Sequence, residues 1–286
     1  MKQTDILEAT KYNAEKSNSY HLFTRANPTT SEPIPVGDRK YLLTTNYRPS
    51  KRTIVLIHGW LERVNSIFNT VLVPAFLSAE DVNVIVVDWS AAANNINYAV
   101  AVIKTPVSGK AVAKFISWLI SVSGAVLSNF HIVGHSLGGH QAGIVGRSLG
   151  GQVAYITALD AAGPGWVTNE EKFKPTDGVY TEAIHTNAGF LGYTGTLADV
   201  DFYPNGGLNM PGCISQECDH FRSFYYMAES VQTGGFTGTR CFTFVAAMTD
   251  HCYLWGILNM GGIEPKTGHE GIYYVRTNSF RPFSRG

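Results

Sequence analysis

The chain is expected to fold as an α/β protein, with a mostly parallel central sheet covered by helices on both faces. Two observations predict this. Between residues 50 and 165, short runs made almost wholly of Val and Ile alternate with helix-length stretches, and strands that are apolar on both faces are those buried inside a parallel sheet. The composition agrees, because 44% of the 286 residues are hydrophobic and 12% aromatic, which is enough to bury a large core.

Taken in order, residues 1–19 form a peripheral segment. Tyr20-His21-Leu22-Phe23-Thr24 and Tyr41-Leu42-Leu43-Thr44-Thr45 then read as antiparallel strands added at an edge. Residues 52–57 make the first central strand, which ends in the turn His58-Gly59-Trp60, and residues 83–89 make the second. A helix is expected over 109–127. Its apolar positions recur at helical spacing and are interrupted by Lys114, Ser117, Ser121 and Ser123, so it reads as a buried helix and not as a membrane span. A strand over 129–133, a helix over 137–149 and a strand over 153–159 follow. Past residue 165 the chain becomes loop-rich, with turns at Pro204-Asn205-Gly206-Gly207 and Met210-Pro211-Gly212. A closing strand is expected near Tyr273 and Tyr274. No repeat or low-complexity linker interrupts the chain, so residues 1–286 are expected to form one domain.

Charge narrows the function. With 22 Lys+Arg against 22 Asp+Glu and no basic run, the chain lacks the surplus that phosphate binding needs, and nucleic acid is excluded as a partner. The start, Met1-Lys2-Gln3-Thr4-Asp5, lacks the apolar stretch of a secretory signal. All four cysteines, Cys213, Cys218, Cys241 and Cys252, lie in the last third. Three pairings are open to them. Joining neighbours, Cys213 to Cys218 and Cys241 to Cys252, closes two short loops and is the expected arrangement; a zinc site would want closer pairs than Cys241 and Cys252 offer. Two disulfides imply an oxidising compartment, so the chain is expected to be a mature secreted protein with Met1 added or retained.

Gly134-His135-Ser136-Leu137-Gly138 carries the chemistry. It matches G-x-S-x-G and falls between the third expected central strand and the helix after it, where a sharp turn lifts a serine hydroxyl clear of the sheet. A hydroxyl is a weak nucleophile at neutral pH and needs an imidazole base, itself oriented by a carboxylate. In this arrangement the carboxylate and then the histidine follow the serine. Asp160, at the end of the next strand, is the expected carboxylate. Among later histidines, His185 lies in a strand-like run and reads as a core or wall residue, His251 sits inside the expected Cys241–Cys252 loop, and His269 belongs to the tail. His220 follows Cys218-Asp219 on a pinned loop, ahead of a helix-like stretch over 223–231, and is the expected base. The oxyanion donors are expected to be the N–H groups of Leu137 and Trp60, with His58 bracing the loop.

The combination resembles the pancreatic lipase family of α/β-hydrolases, and in particular its short insect members, which include venom phospholipase A1 enzymes. The resemblance runs over roughly residues 20–275, through His58-Gly59-Trp60, Gly134-His135-Ser136-Leu137-Gly138-Gly139-His140, Leu159-Asp160, Asp201-Phe202-Tyr203-Pro204-Asn205-Gly206-Gly207 and Cys218-Asp219-His220-Phe221-Arg222. It implies an α/β-hydrolase fold, the triad Ser136, Asp160 and His220, and oxyanion positions at Trp60 and Leu137. Three departures shape the expectation. Only Ile214-Ser215-Gln216-Glu217 separates Cys213 from Cys218, where family triglyceride lipases carry a long lid, and no helix is expected there. No carboxy-terminal β-sandwich follows, so colipase is not an expected partner. Lys174-Pro175-Thr176-Asp177 stands where the family's calcium loop expects acidic residues, so neither calcium nor any cofactor is expected.

The resulting expectation is a secreted serine hydrolase acting on phospholipids, galactolipids or acylglycerols at a membrane or micelle surface, with Phe190, Leu191, Tyr193, Leu197 and Ile214 as candidate lipid contacts. The alternatives are a non-catalytic lipid-binding protein of the yolk-protein type, a triglyceride-specific lipase and a small-molecule esterase.

Overall fold

The structure, a computed structural model, describes residues 2–253 and 256–286; the expected added or retained Met1 lies outside them. The amino-terminal part holds helices α1 (Gln3–Ala9) and α2 (Ala14–Ser17), strands β1 (Ser19–Phe23) and β2 (Glu32–Pro33), and helix α3 (Arg39–Leu42). The centre runs β3 (Thr53–Ile57), α4 (Ile67–Ala79), β4 (Asn83–Asp88), α5 (Ser90–Ala93), α6 (Tyr98–Ser123), β5 (Phe130–His135), α7 (Leu137–Ser148), β6 (Tyr155–Leu159), β7 (Thr181–Ile184) and β8 (Val200–Pro204). The rest is α8 (Gln216–Thr233), β9 (Thr237–Cys241), α9 (Phe244–Met248), β10 (Ile257–Asn259) and β11 (Gly271–Val275).

Among the described residues the strands form one sheet in the order β10-β9-β11-β8-β7-β6-β5-β3-β4-β1-β2. From β4 across to β11 every pairing is parallel, and the pairings outside that centre are antiparallel. This is the α/β-hydrolase arrangement. The near-continuous Val/Ile runs fit it because each central strand feeds two apolar layers. Val55, Ile57, Ile85 and Ile132 pack with Val112, Phe115 and Ile116 of α6 and with Ile144 and Val145 of α7. Their alternates Ile54, Leu56, Val84 and Val133 face Phe68, Leu72 and Phe76 of α4 and Phe224 and Met227 of α8. A slip of one residue would exchange the two layers along a whole strand, so two filled layers hold the register.

Three local expectations are corrected. Residues 41–45 are not a strand. Tyr41 and Leu42 close the short helix α3, whose first turn is capped by the Asp38 side chain accepting from the Tyr41 N–H at 2.9 Å. The Thr44 and Thr45 hydroxyls then donate to the Tyr41 and Leu42 carbonyls, each at 2.7 Å, and a threonine that bonds its own backbone in this way favours a turn over a ladder. The helix expected over 109–127 starts at Tyr98, runs through Pro106 and stops at Ser123, where Gly124 takes the left-handed conformation. Burial of Val100, Ala101, Thr105, Ser108 and Val112 holds it across the proline. Finally, a helix does form inside the Cys213–Cys218 loop: α8 begins at Gln216, with the Ser215 hydroxyl accepting from the Cys218 N–H at 3.2 Å. A capping serine can start a helix in so short a loop because the first turn needs only its own cap.

The amino-terminal helices dock on α6. Asn97 donates to Asp5 at 2.9 Å and Asn18 donates to the Ser108 hydroxyl at 3.0 Å. No described helix is long and apolar enough to cross a membrane. At the far end of the sheet, fully buried Glu182 binds the Lys266 ammonium at 2.6 Å, the Tyr180 hydroxyl at 2.7 Å and the Gly261 N–H at 2.7 Å. Removing one partner of a buried pair strands the other charge. Lys266→Met is therefore expected to cost about 3–5 kcal/mol in urea unfolding, while Lys51→Met, at an exposed pair with Asp81, is expected to cost less than about 1 kcal/mol.

Candidate active site

Ser136 sits between β5 and α7 at φ 56° and ψ −121°, a conformation a β-branched or bulky residue rarely adopts. Glycine on both sides is what makes the turn fit. A Cβ on Gly134 would lie 1.9 Å from the Gly138 carbonyl oxygen, and one on Gly138 would lie 2.1 Å from the Ile57 carbonyl oxygen of β3. The turn is tied down by the Ser136 N–H donating to the Leu159 carbonyl at 3.1 Å, while the Ser136 carbonyl accepts from Gly139 at 3.0 Å and from Ala162 at 3.1 Å. Strain held by several bonds is the usual sign of a functional turn.

Asp160 follows directly after β6, fully buried and also at positive φ (41°). One carboxylate oxygen accepts the N–H groups of Thr186 at 2.8 Å and Asn187 at 3.0 Å; the other pairs with His220 Nδ1 at 2.5 Å. The contact leaves no spare room, because a Cβ on Gly192 would come within 2.5 Å of Asp160 Oδ1. With Asp160 at Nδ1, the other ring nitrogen, Nε2, is left without a hydrogen bond among the described residues. His220 lies in the early turns of α8 and not on a loop as expected, so a helix sets its position. Ser223 Oγ bonds its carbonyl at 2.8 Å, and next to it the Asp219 carboxylate accepts the Met210 N–H at 2.6 Å. Both disulfides join neighbours in sequence, Cys213–Cys218 and Cys241–Cys252. The first braces the approach to α8.

Ser136 and His220 border one cavity of about 650 Å³, walled by Trp60, Leu61, Ile67, Tyr98, Pro164, Leu191 and Phe221, with Glu62, Ser66, His135 and Glu217 as its polar members. Among the described residues the Ser136 hydroxyl has no hydrogen bond to His220, whose Nδ1 is taken by Asp160. Two backbone N–H groups, of Leu137 and Trp60, make no hydrogen bond among the described residues. Leu137 is the first residue of α7, where the amide has no partner within the helix. In the loop after β3, the Gly59 N–H goes to Glu62 Oε2 at 2.6 Å and the Leu61 N–H to the Ala93 carbonyl at 3.0 Å, and the Trp60 N–H between them is left over among the described residues.

The other sequence-derived candidates separate. Leu191 lines the cavity; Phe190 beside it is exposed, Ile214 stands fully in solvent, and Tyr193 and Leu197 are buried. None of these four borders it. Tyr193 instead meets the His140 ring, and Leu197 donates its N–H to Asp201 at 2.8 Å. His185 is buried, paired with Asp201 at 2.8 Å and stacked on Tyr203; His251 and His269 are exposed. His58 faces away, its Nε2 3.5 Å from Asp88 Oδ1. Sequence reasoning missed the apolar wall of Trp60, Leu61, Ile67, Tyr98 and Phe221. Its signal was the rule that clefts form beyond the carboxyl ends of parallel strands, applied to the loop after β3. Both carboxylate oxygens of Asp177, in the segment expected to reject calcium, are held by Arg147 at 2.8 and 2.9 Å. No group of three or more metal-ligating side chains occurs among the described residues.

A family model described as Lipase matches residues 1–283. Pancreatic triacylglycerol lipase of Mus musculus is 31% identical, over 91% of this chain and 61% of its own length. The pancreatic triacylglycerol lipase of Myocastor coypus is 33% identical, over 81% of this chain and 56% of its own. Lipase member H of Mus musculus is 37% identical, over 64% and 43% respectively. The chain thus spans about half of the length of these curated relatives. A solved α/β hydrolase enzyme from a Medee basin deep-sea metagenome library aligns over 50% of this chain and 60% of its own, with a TM-score of 0.33 and 12% identity.

Three buried histidines of β5 and α7 resist protonation. Burial pushes His140 down to about 3, against the pull of its Ala162 carbonyl partner at 2.8 Å. Burial also lowers His131 and, with the nearby His220 charge, His135. Unfolded, each ring would take its proton near the usual 6.5. As the pH falls below that value the unfolded chain binds protons that the native chain refuses, so the stability present above it is progressively lost. Each such histidine is expected to weaken the fold as the pH falls below about 6.5. Thermal unfolding followed by circular dichroism between about pH 7.5 and pH 5 should show a steadily falling melting temperature; a flat profile contradicts this account.

Proposed function

This chain belongs to the lipase family, and we propose that it hydrolyses carboxylic esters of lipids through Ser136, His220 and Asp160. The observation that carries the reading is that His220, held by the buried Asp160, borders the same cavity as the strained Ser136 turn. As the Ser136 hydroxyl attacks an acyl carbonyl, His220 Nε2 takes its proton and Asp160 stabilises the imidazolium through Nδ1. The N–H groups of Leu137 and Trp60 hold the oxyanion of the tetrahedral intermediate. Collapse of that intermediate passes the proton from His220 to the departing alkoxide. Water, deprotonated by His220 in turn, attacks the acyl carbonyl, and His220 returns that proton to the Ser136 oxygen as the fatty acid leaves.

The head-group preference follows from the mouth of the cavity. Only four residues separate Cys213 from Cys218, and α8 begins among them. So short a span cannot cover the cavity, which therefore accepts polar head groups. Phospholipids or galactolipids cut at sn-1 are the proposed substrates. The apolar wall from Trp60 to Phe221 receives the acyl chain, with Leu191 as the member of the expected contact set that lines it. Two disulfides support a secreted protein. The proposed scheme uses neither a metal nor colipase.

Ser136→Ala and His220→Ala are each expected to lower kcat by about 10⁵-fold or more, since the remaining donors and binding supply only a small residue of rate. A fluorophosphonate should label Ser136 in the folded wild type; a folded protein that takes no label is a binding protein and not a hydrolase. Initial rates on phosphatidylcholine, monogalactosyl diacylglycerol, triolein and a short soluble ester should rank the two polar lipids first, and a lead for triolein would refute the open-mouth argument.

A further inference from the structure

Glu62 is a carboxylate in the wall of a largely apolar cavity, only 8% exposed, and the scheme above gives it no role. Its Oε2 does two things. It accepts the N–H of Gly59, in the loop after β3, at 2.6 Å, and it faces His135 Nδ1, on the residue just before Ser136, at 3.4 Å. The loop and the turn are already in contact at this point: a Cβ on Gly59 would lie 3.0 Å from Glu62 Oε2, 3.0 Å from Ser136 Cβ and 3.3 Å from His135 Nδ1. The second oxygen, Oε1, is buried without a partner, and so is His135 Nε2. A carboxylate placed there only to cap a loop would be expected to satisfy both oxygens, because each unpaired buried acceptor is costly.

We infer that Glu62 is a positioning residue, whose single oxygen Oε2 ties the Gly59–Trp60 loop to the serine turn and so sets the Trp60 N–H at the distance the oxyanion requires. The inference rests on the reading of Trp60 and Leu137 as oxyanion donors. Its logic is geometric. The Glu62 bond to the Gly59 N–H fixes the His58–Gly59 peptide plane, and His58 Nδ1, 3.0 Å from the Gly59 carbonyl, fixes the next plane, which carries the Trp60 N–H; with Glu62 released, Gly59 is free to turn between them, and a misplaced donor loses transition-state stabilisation while substrate binding is spared. Burial opposes ionisation of Glu62, but the hydrogen bonds from His135 and the Gly59 N–H outweigh it and hold the carboxyl below the usual range. The clamp is thus ionised at neutral pH.

Two variants separate reach from charge. Glu62→Asp keeps the charge and withdraws the oxygen by one methylene; Glu62→Gln keeps the reach and removes the charge. On a short soluble ester, Glu62→Asp is expected to lower kcat by about 10²-fold with KM within about threefold, and to weaken a trifluoromethyl ketone inhibitor by a matching factor. Glu62→Gln should stay within about tenfold of wild type in both measurements. Melting temperatures are recorded alongside. An aspartate variant with wild-type kcat, a glutamine variant as impaired as the aspartate one, a loss confined to KM, or a collapsed melting temperature in either variant overturns the inference. A wild type without turnover or fluorophosphonate label removes the hydrolase reading itself, and the inference with it.

Discussion

The close passage of three backbone segments, the end of β3, the end of β5 and the start of α7, is the constraint on which the rest of the site depends. Gly134, Gly138 and the Ile57 carbonyl approach so tightly that any side chain at either glycine would overlap backbone. This packing forces Ser136 to positive φ and points it off the sheet edge. It also brings the loop after β3, which begins at His58, against the turn from the other side. Nucleophile position and donor position are therefore set by one piece of packing.

The Asp160–His220 pair is a separate problem with a separate answer. The two residues lie 60 apart in sequence, and their meeting depends on β6 delivering Asp160 and α8 delivering His220 to the same end of the sheet. Asp160 is fixed by the Thr186 and Asn187 amides and by the lack of space at Gly192. His220 is fixed by a helix that Ser215 caps and a disulfide closes at its start. A buried carboxylate with three donors and no slack holds the imidazole to one orientation, which is what proton transfer at Nε2 would need.

Much of this was legible in the chain. Near-continuous Val/Ile strands follow from burial on both faces, and G-x-S-x-G between a strand and a helix follows from steric need, so the sheet centre and the serine turn could be read locally. Less was legible where two tendencies compete. Residues 41–45 have strand-forming composition, but a capping Asp38 and two threonines that bond backward made a helical turn. Ser215 started α8 inside a loop judged too short for a helix, which moved His220 from a loop onto a helix.

By itself, the sequence determined which residue types the chemistry has and where along the chain the turn, the carboxylate and the disulfide-braced histidine fall, because these obey local rules of sterics and spacing. Only the tertiary structure decided which side chains share the cavity. Tyr98, Ile67 and Phe221 reach it from three different helices or their flanks, and Glu62 meets His135 across 73 residues. Tyr193 and Leu197 turned into the core, and Ile214 out to solvent. The direction a loop side chain takes is set by what packs on either side of it, and no periodicity along the chain records that.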